Sequence, residues 1–155
     1  MIRRPVSPVS IDAMNAAITR RRQPVFGLDT NALVRYIAQD DHRQAAKAAH
    51  VIEEECSEIR PGFIAAIVLA ELVWVLESCY GRVNAEIVAI LQRILRTRQL
   101  AVQDAETICQ TVRSFEASTA DFSDCLIERI GVAHECETTT TFDKHAASTG
   151  MRLIE

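Results

Sequence analysis

No apolar run in the sequence approaches the roughly 20 residues that a membrane-spanning helix needs, so a span is excluded on length. The longest, Phe63 to Ala70, runs into Glu71 and suits a buried strand and helix. The opening residues, Met1 to Pro8, lack the apolar core of a secretory signal, which makes a cytoplasmic setting the expectation. Five cysteines, Cys56, Cys79, Cys109, Cys125 and Cys136, include no C-x-x-C and no close pair, which argues against a disulfide framework and a zinc site. They read as small, reduced, mostly buried residues. The four histidines, His42, His50, His134 and His145, form no H-x-x-x-H or E-x-x-H pair, so nothing marks them as ligands or bases. Positive charge is short as well, with 17 basic against 21 acidic residues and a net charge of −4. A protein that holds nucleic acid by phosphate neutralisation is usually basic. Either nucleic acid is not the ligand, or a bound cation inverts the field at the decisive place.

What is present is one domain's worth of chain. Its 155 residues, 48% apolar, suffice for a core without staples. Residues 1–24 read as an N-terminal extension or linker, with a short helix over Ile11 to Thr19 and an Arg20-Arg21-Arg22 run before Pro24. Residues 25–155 read as the folded domain. It opens on Val25-Phe26-Gly27-Leu28-Asp29-Thr30-Asn31-Ala32-Leu33-Val34-Arg35-Tyr36, in which a short apolar run delivers an acid and then turns to helical spacing at Leu33, Val34 and Ile37. Strand, acid, helix is the pattern. In open α/β sheets ligands collect outside the carboxyl ends of strands, which makes Asp29 a candidate for chemistry. The same residue, or Thr30, also suits a helix N-cap.

Further along, Asp41 is placed to cap a helix running to about Ser57, whose Glu53-Glu54-Glu55 end reads as a solvated face. Phe63 to Ala66 is a short strand, and Ile67 to Tyr80 a helix apolar nearly all round, as expected of a core helix. Glu71 lies inside it with no Lys or Arg within eight residues on either side. A buried carboxylate there requires a distant partner or a metal. Glu77 lies about 120° further round the helix, off that face. Gly81 stops this helix, Asn84 to Arg96 forms the next, Leu100 to Val102 a third strand, and Asp104 to Ala117 another helix. A helix then opens at Ala120-Asp121-Phe122-Ser123-Asp124 and runs to Ala133. Asp121 stands three residues after Ser118, where a capping box puts its acid. Asp124 lies deeper, and no capping role explains it. Glu128 shares its stripe and reads as solvated. Cys136 to Phe142 favours β structure and ends in Asp143, and Met151 to Ile154 is a last strand.

The outline βααβααβααβ implies a three-layer α/β/α domain with a short, mostly parallel central sheet. Converging carboxylates repel unless a cation joins them, and an oxygen-only set favours Mg2+, or Mn2+, over zinc. Four segments, Phe26 to Tyr36, Leu69 to Leu76, Ala120 to Ile127 and Thr140 to Lys144, resemble in order and spacing the four motifs of the PIN-domain ribonucleases, closest to VapC-type toxins of type II toxin-antitoxin systems. The resemblance places the family's acids on Asp29, Glu71, Asp124 and Asp143, with Asp121, Asn31 and Thr141 in support. It implies magnesium-dependent endonucleolytic cleavage of RNA, a homodimer, and neutralisation by a small antitoxin. The extension before the first strand departs from the family pattern.

On that expectation Asp29, Asp124 and Asp143 bind one or two Mg2+ ions and Glu71 holds water or the second ion. Arg35, Lys144, Arg93, Arg96 and Arg98 are candidate phosphate contacts, and Arg35 and Lys144 candidate antitoxin contacts. The competing reading is a catalytically silent PIN-like binding module, its acids a socket for an antitoxin's basic residue. A phosphotransferase with Asp29 as nucleophile fits poorly, because Asp29-Thr30-Asn31 lacks the second acid two residues on.

Overall fold

The computed structural model describes residues 26–155, so the expected N-terminal extension, its Ile11 to Thr19 helix and Val25 lie outside the described residues. Strand β1 (Phe26–Gly27) pairs in parallel with β2 (Gly62–Ile64), and β2 with β3 (Leu100–Val102). Phe26, Gly62 and Leu100 stand in register, so all three strands end at one edge. Parallel neighbours require crossovers, and helices supply them. Helix α1 (Thr30–Ala38) and α2 (His42–Ala49) connect β1 to β2, α3 (Ala66–Ser78) and α4 (Asn84–Arg96) connect β2 to β3, and α5 (Ala105–Ala117) and α6 (Phe122–Ala133) follow. The chain closes with β4 (Thr140–Thr141), a short α7 (Lys144–Ala147) and β5 (Arg152–Leu153). This is a three-layer α/β/α fold with a short parallel sheet.

Apolar spacing explains most boundaries. Ile87, Val88, Leu91 and Ile94 recur at helical period along α4 and are all buried. They join Leu33, Ile64, Leu69, Leu72, Leu76, Ile108 and Val112 in one core. Burying each such side chain stabilises the fold by about 1.5–3 kcal/mol. Phe115 and Phe122, from α5 and α6, meet edge to face with ring centres 5.7 Å apart, which locks the two helices together. Just beyond α3 the chain turns at Gly81, whose φ of +60° supports an αL closure with Gly81 N donating to Glu77 O at 3.2 Å, and Arg82 N donates to Leu76 O at 3.0 Å.

Several expectations need correction. Helix α3 is apolar nearly all round, yet it is not enclosed: Ile67 and Trp74 are 73% and 62% exposed. A three-stranded sheet is too narrow to cover the whole circumference, so only the Leu69, Leu72, Val73, Leu76 side is buried. The helix begun at Asp41 continues past Ala49 as a π-helical turn, His50–Glu55, and there Glu53 accepts a bond from the Tyr36 hydroxyl at 2.8 Å. The sheet is split, β4 and β5 forming a parallel pair of their own. Of the cysteines only Cys56 and Cys125 are buried, while Cys79 and Cys136 are exposed, because burial follows helix face and not residue type.

The core packs closely under β2. A Cβ at Gly62 would stand 2.9 Å from Leu28 Cδ1 and 3.1 Å from Cys56 Sγ, whereas one at Gly27 would meet nothing within 4 Å. Gly62→Ala is therefore expected to cost about 1–3 kcal/mol through overpacking. Gly27→Ala should stay within about 0.5 kcal/mol. Urea titrations of both variants check this, and equal losses at the two positions would show that the close approach at Gly62 is not limiting.

Candidate active site

The candidate acids stand where strands or loops hand over to helices, and local hydrogen bonding fixes them. Asp29 caps α1, its Oδ1 accepting from Ala32 N at 2.8 Å. Asp121 caps α6 through Oδ1 and Asp124 N at 2.8 Å, and Asp143 caps α7 through Oδ1 and His145 N at 2.7 Å. Each cap uses one carboxylate oxygen to satisfy an otherwise unpaired helix N–H, which sets the side-chain rotamer and leaves Oδ2 as the oxygen to offer. Capping and chemistry are thus compatible. Thr141 steadies the third of these acids, its hydroxyl accepting from Asp143 N at 3.0 Å.

Glu71 is reached from the other direction. The buried Thr30, first residue of α1, donates its hydroxyl to Glu71 Oε2 on α3, across 41 residues of sequence. Glu71 is exposed, not buried and unpaired as its apolar surroundings in sequence suggest, because it points off the open side of α3. Asp29, Thr30, Asn31 and Glu71 line a cavity of about 410 Å³, together with Arg35 and Tyr80.

A second acidic group forms around the start of α6. Burial raises the Asp124 carboxyl above the ordinary aspartate range, and the charges of Asp121 and Asp143 push it further. Asp121 also adds to the rise that burial causes at Glu77, the acid set aside on helical-wheel grounds. Its proximity to Asp121 comes from α3 touching α6, which no local spacing reveals. The structure thus joins Asp29 to Glu71, and Asp124 to Asp121 and Asp143. It does not draw the two groups into one shell: among the described residues no three acids, histidines or cysteines converge as a metal-holding cluster.

Other candidates sort by position. Arg35 is in the Asp29 cavity and pairs with Asp40 at 2.8 Å, and Lys144 is exposed at the start of α7. Arg93 instead lines a separate groove of about 930 Å³ with Tyr36 and Ile90, Arg98 pairs with Glu58 at 3.6 Å, and Arg96 is exposed on α4. Asp121 is itself the N-cap of α6, so Ser118 does not begin a capping box; it closes α5 and lies 3.7 Å from Cys125 Sγ. Glu128 is buried and bonded to Arg129, not solvated, because the C-terminal turn around Gly150 lies over it.

A family profile described as PIN domain matches residues 27–150. The chain belongs to the PIN domain family. PIN domains are generally metal-dependent nucleases, and the coarse assignment is a nucleic-acid hydrolase. No curated protein and no solved structure is significantly similar to the chain. No helix among the described residues is long and apolar enough to cross a membrane. The donors fit the divalent cation such domains typically use: all are hard carboxylate oxygens, and ionised Asp124 is disfavoured first by its burial and then by the charges of Asp121 and Asp143, which a cation would offset.

That cost of ionising Asp124 has a measurable sign. Because folding raises the Asp124 pKa, the native state binds more protons than the unfolded chain between the ordinary and the raised value. The group therefore lowers stability as the pH rises through that window and costs nothing below it. In chelator-treated protein at pH 7, Asp124→Asn is expected to raise Tm by about 1–2 °C, and the gain should vanish near about pH 3. Differential scanning calorimetry at the two pH values checks it; an equal gain at both would remove the cost of ionising Asp124 as the cause.

Proposed function

We propose that the chain is a magnesium-dependent endoribonuclease, the VapC-type toxin of a toxin-antitoxin pair. The observation that carries the proposal is the Thr30 bond that holds Glu71 in one cavity with Asp29, in a domain of a nuclease family. Asp29, Asp124 and Asp143 would hold one or two Mg2+ or Mn2+ ions, directly or through water, with Glu71 beside Asp29. When bound, such an ion lowers the pKa of water and neutralises charge on the scissile phosphate.

The chain's own groups do the rest. Thr30 fixes the Glu71 carboxylate so that it orients the attacking water, and the caps on Asp29, Asp121 and Asp143 keep those carboxylates from reorienting as charge develops. The N-termini of α1 and α6 direct partial positive charge toward the anion. Arg35, held by Asp40, and the exposed Lys144 supply cations for phosphate or for an antitoxin's acidic groups. A homodimer, a small antitoxin and a cytoplasmic setting complete the proposal.

The competing reading, a silent PIN-like binding module, draws support from the separation of the acids into two groups. Incubating single-stranded RNA with the protein in Mg2+ or in EDTA separates the two. Cleavage is expected only with Mg2+, and Asp29→Asn should reduce it by at least about 100-fold, since it removes a metal-holding carboxylate and the loss of even an outer supporting group costs about 10–100-fold, with an unchanged circular dichroism spectrum. Fragments that persist in EDTA, or in the Asp29→Asn protein, would sink the assignment.

A further inference from the structure

The Asp29 and Glu71 cavity has a second wall that the acids do not explain. Tyr80, just beyond the end of α3, donates its hydroxyl to Asp40 Oδ2 at 2.7 Å. Arg35, on α1, donates from Nη1 to the other oxygen, Asp40 Oδ1, at 2.8 Å. One carboxylate between α1 and α2 thus clamps a guanidinium and a phenol side by side, and both line the cavity with Asp29, Asn31 and Glu71. The clamp is electrostatically settled: the Tyr80 hydroxyl and the Arg35 guanidinium hold Asp40 below the usual carboxylate range. The phenol, bonded to a carboxylate, is held neutral.

A planar cation and an aromatic ring, both fixed by a third group, are what a nucleotide meets in single-strand binding sites. The ring offers its face to a base, and the guanidinium keeps N–H groups beyond the one spent on Asp40 for a phosphate. The volume, about 410 Å³, lies in the range of small-molecule sites. We propose that Arg35 and Tyr80 form a subsite for one nucleotide of single-stranded RNA beside the acidic centre. Arg35 takes the phosphate, Tyr80 stacks on the base, and Asp40 is the positioning residue for both. The identity of the ligand rests on the nuclease proposal; the wall itself rests on the Asp40 geometry.

The test is fluorescence anisotropy with a 5′-fluorescein single-stranded RNA, using the full chain carrying Asp29→Asn in Mg2+ and recovering the RNA on a gel to establish that it is intact. Tyr80→Leu should raise Kd about tenfold, while Tyr80→Phe, which keeps the ring, should change it less than about threefold. Arg35→Gln should flatten the slope of log K against log salt by about 0.7, one phosphate contact on a single strand. Asp40→Ala removes a negative charge from an acidic protein, which on general electrostatics strengthens RNA binding; through lost positioning it should instead weaken it about threefold or more, and the Arg35→Gln, Asp40→Ala double variant should be no weaker than the worse single. An unchanged Kd in Tyr80→Leu, an unchanged salt slope in Arg35→Gln, or tighter binding in Asp40→Ala overturns the subsite. Equal weakening of double-stranded RNA binding by Tyr80→Leu overturns stacking. If Tyr80→Leu fails to fold, the Asp40→Ala result decides alone. Persistent cleavage by Asp29→Asn would count against the acidic centre and not against this wall, since binding and cutting are read separately.

Discussion

A single hydroxyl, that of Thr30, connects the two helices on which the acidic cavity depends. Thr30 is buried between the core residues Leu28 and Leu33, and its Oγ1 meets its hydrogen-bonding need at Glu71 on α3. The bond in turn decides what Glu71 is. Without it, a carboxylate on the open side of an apolar helix would be a mobile surface group; with it, the carboxylate is fixed beside the first acid of the chain. Side-chain hydrogen bonds to charged groups contribute more than neutral ones, and here the contribution is to orientation as well as stability.

The remaining electrostatics follow from packing a deficit of positive charge around helix starts. Five arginines and one aspartate precede Phe26, so the negative excess of the chain is concentrated in residues 26–155. Three helix N-termini absorb part of it through capping, which explains how Asp29, Asp121 and Asp143 coexist with other acids nearby. Asp124 caps no helix, and burial, with the charges of Asp121 and Asp143 added, raises its pKa. The acidic surface becomes compatible with a polyanion only where a cation intervenes, or where Arg35 and Lys144 stand.

Legibility in the sequence follows the range of the interaction. Helix α4 and strand β3 are readable to the residue, since apolar period and flanking turns are local properties and both are packed as their patterns demand. The order of strand, acid and helix at Asp29 and Asp143 is readable for the same reason. Whatever depends on contacts between distant segments is not. Glu71 looks buried because its neighbours are apolar, yet α3 has one side without a sheet to cover it. Glu77 looks misplaced on a helical wheel, yet Asp121 arrives beside it from α6. Glu128 looks solvated until the turn at Gly150 covers it. Asp40 resembles a linker residue in Gln39-Asp40-Asp41, and only the fold brings Tyr80 to it.

The open side of α3 also gives the protein an optical handle. Trp74 is the only tryptophan in the chain, and it stands on the helix that carries Glu71, largely in water. Tryptophan emission, excited selectively away from Tyr36 and Tyr80, therefore comes from one known spot with the red-shifted maximum of a hydrated indole, and a macromolecule that dries this ring on binding will shift it to the blue without a label being attached.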